Sequence, residues 1–454
     1  MKFAVIASVL SLLSPIHAHA SVDSLQAGMA AIEIQVPAGT PLGGYGDAPR
    51  RASIKKIDLK RHSPSILFTP SEGVLDPIRS KALIIRKGDR KLLFISLDVV
   101  AVSDEFHDDL IKHLATSGFN QNEVFVSAVH THSGPGALTR NLFWGAVAMD
   151  LYKKPAYDAF MDSVLKSVAQ ATKNLEDASI NYTSFEVDGI QHNRRGHDNR
   201  IDKTARLLWV KDTEGRVMGA LANFAIHGTA MDEMNLKFSS DVPGGIERAL
   251  ESKIADKNLD TGKHEQTSNP PIVLFVNSAE ADISPAYVGH NGIELIGSIF
   301  STEAIIHTDD GVRLPEEWSV TTTKVYFPPF LNIYNCIAPE KEAPKHGIQL
   351  LTNILGIPVP EFFPLSTPLW AINWGPVRMM TWPGEATEEL GQQLRTTAMN
   401  TGAQDAMVLG LTNAHLGYFL TPEDYQEGGY ETCVDLYGPQ GGERIVGAYQ
   451  KLFH

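Results

Sequence analysis

Short apolar runs recur along the chain, and each stops abruptly in a polar, Gly-rich or Pro-rich cluster. The run 92–97 ends at Asp98, and the run 124–129 ends at His130-Thr131-His132-Ser133-Gly134-Pro135-Gly136. Residues 220–226 lead to His227-Gly228, and 272–276 lead to the polar segment 277–285. Residues 377–382 lead to Pro383-Gly384-Glu385, and 407–411 to Thr412-Asn413-Ala414-His415. Apolar runs of this length bounded by turn residues predict buried strands. The stretches 104–116, 157–175 and 386–399 predict helices between them. The alternation predicts an α/β fold, a mixed sheet core with flanking helices. In such folds ligands bind beyond the carboxyl ends of the strands. Here those ends carry the His, Asp, Glu and Ser residues, so one composite active site is expected there.

Composition narrows the picture. Among 454 residues, 39 Lys and Arg against 53 Asp and Glu leave a net charge of −14. Grip on nucleic acid needs a basic field facing the phosphates, which this balance does not supply. No repeat, low-complexity tract or Pro/Ser/Gly linker divides the chain. At the N-terminus Lys2, an apolar run over 3–13 and Ala18-His19-Ala20 before Ser21 form the parts of a cleaved export signal. Residues 1–20 are therefore expected to be removed, leaving 21–454 as a single catalytic domain that is secreted or periplasmic. No stretch is long enough for a transmembrane segment. The two cysteines, Cys336 and Cys433, would then lie where a disulfide is permitted, although spacing does not decide whether they pair.

His130 and His132 directly follow a predicted strand. Residues i and i+2 of an extended chain share a face, so both imidazoles can look into one cleft. One can hold a metal while the other handles protons. His227 reads either as a ligand or as a core histidine bonded to backbone. Glu385, at a strand-to-helix junction, suits a metal or the start of the helix. Ser284 reads as a nucleophile, a substrate hydroxyl partner or a turn serine. Arg194, in Asn193-Arg194-Arg195, can bind an oxyanion or sit on a solvated face. Tyr418 and Tyr430 can ligate zinc or donate a proton, or line a core. Two histidines, one carboxylate and one further oxygen make a four-coordinate zinc set, and the chemistry points to a metallohydrolase.

Together these residues resemble the neutral (non-lysosomal) ceramidase family. The likeness runs from Gly28 and Gly43-Gly44-Tyr45 through the segment 76–83, His130–Gly136, His192-Asn193-Arg194 and the segment 223–227 with Ser239-Ser240-Asp241. It continues through 277–285, Pro383-Gly384-Glu385-Ala386-Thr387 and the tyrosine-rich block 413–430. The resemblance implies one catalytic Zn2+ held by His130, His227, Glu385 and Tyr418, with His132, Arg194 and Tyr430 around the scissile amide. It places Ser284 at the family's catalytic serine. It also implies cleavage of ceramide to a fatty acid and a sphingoid base by zinc-activated water, with an N-acyl lipid as partner and transient contact with a membrane surface. A structural Ca2+ or Mg2+ is left open. Two departures stand out. Ala281 and Ala286 replace the Gly and Asn of the family's serine segment, and the chain stops soon after the tyrosine block, so the C-terminal immunoglobulin-like domain of longer members is expected to be missing. The apolar stretch 325–370 is expected to form a lid or acyl-chain wall, or else to pack on the core. Three other readings share some of these residues. They are an amidase for another N-acyl compound, a non-catalytic exported lipid-binding protein, and a two-metal phosphoesterase built on Asp98, His130, His227, Asp241 and Asp282.

Overall fold

A computed structural model describes residues 24–46, 49–51, 64–262, 269–328 and 363–454. In chain order the first strands are β1 (Gln26–Glu33), β2 (Arg79–Lys87), β3 (Arg90–Leu97), β4 (Val124–Ala128), β5 (Glu176–Glu186), β6 (Gln191–Asn193), β7 (Thr204–Asp212) and β8 (Val217–Phe224). They continue with β9 (Ile272–Asn277), β10 (Ile283–Pro285), β11 (Val312–Arg313), β12 (Ser319–Tyr326), β13 (Ser366–Trp374), β14 (Val377–Thr381), β15 (Glu385–Ala386), β16 (Asp405–Leu409) and β17 (Tyr418–Phe419). A nine-stranded sheet has the order β4-β3-β2-β1-β5-β7-β8-β9, with β11 on β5, and a four-stranded sheet has the order β12-β13-β14-β16. The pairs β3/β4, β8/β9 and β14/β16 are parallel, so six carboxyl ends point in matched pairs. This is the mixed α/β architecture expected from the apolar runs.

Those runs are continuous because both faces of the large sheet are covered. Ala82, Ile84, Leu93 and Ile95 pack against helices Asp104–Leu114 and Lys154–Lys173. Their neighbours Leu83, Ile85 and Phe94 pack against Trp374, Met379 and Met407 of the second sheet. Helices Asp241–Asp260 and Gly289–Ile306 cover β7 to β9, and helices Glu388–Asn400 and Gly441–Phe453 cover the second sheet.

The large sheet folds over on itself, so that its far strand β9 returns to β2 and β3. Lys81 Nζ donates to the Val273 carbonyl at 2.7 Å, and Ser96 Oγ donates to that of Phe275 at 2.6 Å. Three asparagines then tie the strand ends together. Asn277 Nδ2 donates to the carbonyls of Val129 (3.1 Å) and Ile226 (2.9 Å), joining the ends of β4 and β8. Asn223 Nδ2 reaches the Val408 carbonyl of β16 at 2.8 Å, and Asn413 Oδ1 accepts from Val126 of β4 at 2.8 Å. Such buried side chains satisfy backbone groups that have no strand partner, which is costly to leave undone.

The expected export signal, residues 1–20, lies outside the described residues, as does 329–362 of the expected lid. The described flanks Val325, Phe327 and Phe363 pack in the core with Phe419 and Tyr437. Cys433 is disulfide-bonded, and Cys336 lies outside the described residues.

Candidate active site

The two imidazoles of the 130–132 segment do face one cleft, but not through strand alternation. Strand β4 ends at Ala128, and His130 adopts a left-handed backbone with φ of +67°. That conformation is uncommon outside glycine and asparagine, and such outliers concentrate at functional sites. His130 Nδ1 donates to the Val100 carbonyl at 2.7 Å, leaving the Nε2 lone pair free to face the cleft. His132 Nε2 lies 3.2 Å from His130 Nε2. Gly44 makes this possible, because a Cβ there would stand 2.6 Å from the His132 ring. Tyr45 then meets that ring edge-on at 4.7 Å.

His227 follows β8 and is fully buried. Its Nδ1 donates to the Glu280 carbonyl at 2.7 Å, so the backbone-bonded reading holds and Nε2 is left to face the cluster. Glu385 opens β15, which pairs in parallel with β17 so that Glu385 stands beside Tyr418. Glu385 does not cap the following helix; Asp282 Oδ1 accepts from Glu388 N at 2.9 Å and does that work.

Four donor groups therefore converge. Glu385 Oε2 lies 3.1 Å from His130 Nε2 and 3.4 Å from His227 Nε2, and Tyr418 Oη lies 3.3 Å from His227 Nε2. Donors held tetrahedrally at about 2.0–2.1 Å from one ion stand roughly 3.3 Å apart. Glu385 Oε2 is buried without a hydrogen-bond partner, because each neighbouring histidine has spent its proton on a carbonyl. Lone pairs facing one another in this way fit a cation. The electrostatics agree. Burial pushes His227 down to about 4, with Arg194 the next cause, so it is neutral at pH 7. Burial first, and His130 and His227 next, hold His132 well below the usual imidazole range. Burial and then Glu385 push Tyr418 well up, so the phenol keeps its proton unless a cation draws it off.

Arg194 is half-buried and fully engaged rather than solvated. Its Nε donates to Glu431 Oε1 at 2.8 Å, and its Nη2 donates to the Ala281 carbonyl at 2.5 Å and to Tyr418 Oη at 3.1 Å. Arg195 shares Glu431, donating to Oε2 at 2.8 Å, so one carboxylate anchors both guanidinium groups. Tyr430 stands at the rim, 60% exposed, with its ring 6.0 Å from that of Tyr418. A cavity of about 570 Å³ opens onto His130, His132, Arg194, Glu385, Tyr418 and Tyr430. Next to it lies a small apolar pocket of about 30 Å³ bounded by Phe106, Leu138 and Phe160, and Ala101, Trp144, Met149 and His415 line both spaces. Ser284 lies on β10 opposite His192, half-buried, and is not among the residues that line this cavity.

Asp98, Asp241 and Asp282 do not join the cluster. Asp98 accepts from Arg79 N at 2.6 Å, Asp241 accepts from the backbone of Ala230 and Met231, and Asp282 is taken by Glu388 and Asn193. The two-metal phosphoesterase reading therefore loses its three aspartates, each satisfied elsewhere. Sequence reasoning gave no role to His415, Glu431 or Tyr45. His415 ends a predicted run as His130 and His227 do, and that pattern was the available signal. Nothing local marks Glu431 as an anchor for two arginines 236 and 237 residues away.

The family model for neutral/alkaline non-lysosomal ceramidase, N-terminal, matches residues 69–298. The chain belongs to that family. Neutral ceramidase A of Dictyostelium discoideum is 21% identical over 87% of this chain and 67% of its own. The neutral ceramidase of Pseudomonas aeruginosa is 21% identical over 90% of this chain and 71% of its own. The crystal structure of neutral ceramidase from Pseudomonas aeruginosa superposes with a TM-score of 0.75 at 19% identity, covering 95% of this chain and 73% of that one. A ceramidase complexed with C2 gives a TM-score of 0.72 at 18% identity, covering 95% and 74%. The fold of this ceramidase-family chain is thus the fold of those solved relatives.

Proposed function

We propose that this chain hydrolyses the amide bond of an N-acyl lipid, ceramide in the first instance, with one zinc ion held by His130, His227, Glu385 and Tyr418. The observation that carries the reading is the convergence of those four donors, 3.1–3.4 Å apart, at the base of the cavity. When bound, the ion supplies Lewis acidity toward a carbonyl oxygen and lowers the pKa of a water toward neutrality. Arg194, fixed by Glu431, and Tyr430 at the rim offer donors to the oxyanion that forms on the amide carbon, each such donor being worth about 3 kcal/mol of barrier. His132, neutral and facing the cavity, takes a proton from the attacking water and returns it to the departing amine nitrogen. Ser284 is assigned to the substrate's polar head, since β10 holds it next to the Ala281–Ile283 backbone that supports Arg194 and His227. The small apolar pocket beside the cavity supports an acyl substituent rather than a wholly polar one.

One catalytic domain over 21–454 is favoured because the large sheet and the β15/β17 pair, far apart in sequence, contribute ligands to the same cluster. The disulfide at Cys433 favours the exported, oxidising setting expected from the N-terminal segment. Among the described residues no helix is long and apolar enough to cross a membrane. The test compares wild type with His130→Ala, measuring zinc content and turnover of a fluorescent ceramide beside a water-soluble N-acyl amino acid. Zinc should be lost and ceramide turnover should fall about 10³-fold or more, the scale of losing an electrostatic catalyst. Retained turnover in the variant rejects the metal assignment, and wild-type cleavage of the soluble compound alone rejects the lipid.

A further inference from the structure

Glu280 is fully buried, and among the described residues neither of its carboxylate oxygens meets a hydrogen-bond donor of another residue. A buried carboxylate in that condition is among the most expensive arrangements a core can hold, and proteins keep it where a cation or a proton completes it. Its position says what that partner is. The Glu280 carbonyl receives the Nδ1 proton of His227, so the residue stands at the back of one imidazole of the cluster. One of its carboxylate oxygens, a ring nitrogen of His130 and a carboxylate oxygen of Glu385 all lie within 4.8 Å of one another. On its other side the wall is backbone: a Cβ at Gly410 would stand 3.3 Å from Glu280 Oε2 and 2.4 Å from the Ser278 carbonyl. The side chain is therefore enclosed between that wall and the cluster of nitrogens and oxygens described above.

We propose that the Glu280 carboxylate is a further oxygen donor to the divalent ion, so that this chain surrounds the ion with two imidazoles, two carboxylates and the Tyr418 oxygen. The inference rests on the metal reading of the preceding section and deepens it. Its chemical consequence falls on Tyr418. Two carboxylates already balance a dication, so Tyr418 need not give up its proton and can remain a phenol that donates toward the substrate. The donor set becomes harder and richer in oxygen than two imidazoles with one carboxylate, which widens the range of divalent ions the site accepts.

The test is zinc affinity rather than turnover. Wild type, Glu280→Gln and Glu280→Asp are stripped of metal, and zinc binding is measured by competition with a chromophoric chelator. The metal-free proteins are also melted to establish that each is folded. Glutamine keeps the shape and removes the charge. It should weaken zinc binding at least tenfold while the metal-free variant melts at or above the wild-type temperature, since a desolvated charge has gone. Aspartate keeps the charge but withdraws it by one methylene, and should give an intermediate loss. Zinc affinity of Glu280→Gln within twofold of wild type overturns the inference and marks Glu280 as a neutral acid sharing a proton with Glu385. Should Glu280→Gln melt as an unfolded chain, Glu280→Asp carries the decision, and wild-type affinity in it overturns the inference. Wild-type protein that takes up no zinc fails the metal reading itself, which separates the two failures.

Discussion

An imidazole that holds a cation must present one nitrogen without a proton, and the backbone decides which one. The carbonyls of Val100 and Glu280 take the Nδ1 protons of His130 and His227, so Nε2 is the face offered to the cleft. The sequence marks these residues as chemistry-bearing but says nothing of the tautomer, because the carbonyls come from other segments. His415 gives a test at this scale. It packs with its ring 4.9 Å from that of Trp144, and burial pulls its pKa down to about 4. In metal-free protein the unfolded state takes up a proton near pH 6.5, whereas the folded state does so only near 4. The associated stability is therefore complete above about pH 6.5 and is lost as pH falls through that window, at up to about 1.4 kcal/mol per pH unit. Urea unfolding of EDTA-treated protein between pH 4.5 and 6.5 should give a shallower slope for His415→Asn by up to that amount. An unchanged slope means that His415 titrates normally.

Among the elements, the apolar runs located the strands whose ends matter, and the expected helices 104–116 and 386–399 match Asp104–Leu114 and Glu388–Asn400 to within two residues. Helix Asp241–Asp260 was not expected. Its first turn carries Pro243, Gly244 and Gly245, which read as a turn, although proline is tolerated there because its missing N–H has no helical partner anyway. Pairing of the two-residue strands β15 and β17 was equally hidden, yet it sets Glu385 beside Tyr418. The wall shared by cavity and apolar pocket is an element-scale feature, formed where the turn after β3 meets Trp144 and Met149. Ala101→Leu should thicken that wall and take up space on both sides. The ratio of kcat/KM for a long-chain N-acyl substrate to that for an N-acetyl analogue is expected to fall at least about tenfold, the scale of a few buried methylenes, with zinc content unchanged. A ratio that does not move places the acyl chain elsewhere.

For the molecule as a whole, the ligands come from four separate segments, two following β4 and β8 of the large sheet and two on the paired short strands β15 and β17, and Asn223, Asn277 and Asn413 tie the neighbouring strand ends together. An ion bound there joins the same segments a further time, alongside these side chains, the β15/β17 pairing and the backbone bridge between Thr131 and Gly228. Removing it with a chelator should lower the melting temperature, by the few degrees that a binding term of about 3–4 kcal/mol implies. Amides near 130, 227 and 385 should lose hydrogen-exchange protection together. Loss at only one of the three would mean that no ion bridges them. The sequence by itself determined the chemistry available, since apolar runs that stop at His, Glu and Asp predict strands ending in ligands. It also determined the fold class, because those runs are long enough to be buried on both faces. Tertiary structure decided which ends meet. His130 and Tyr418 stand almost three hundred residues apart, and only long-range packing, with Val126 bonded to Asn413 and Ser127 bridged to Thr412, brings their segments together. The same long-range packing turned Asp98, Asp241 and Asp282 toward backbone amides and left Glu280 facing the cluster, and no local periodicity carries that information.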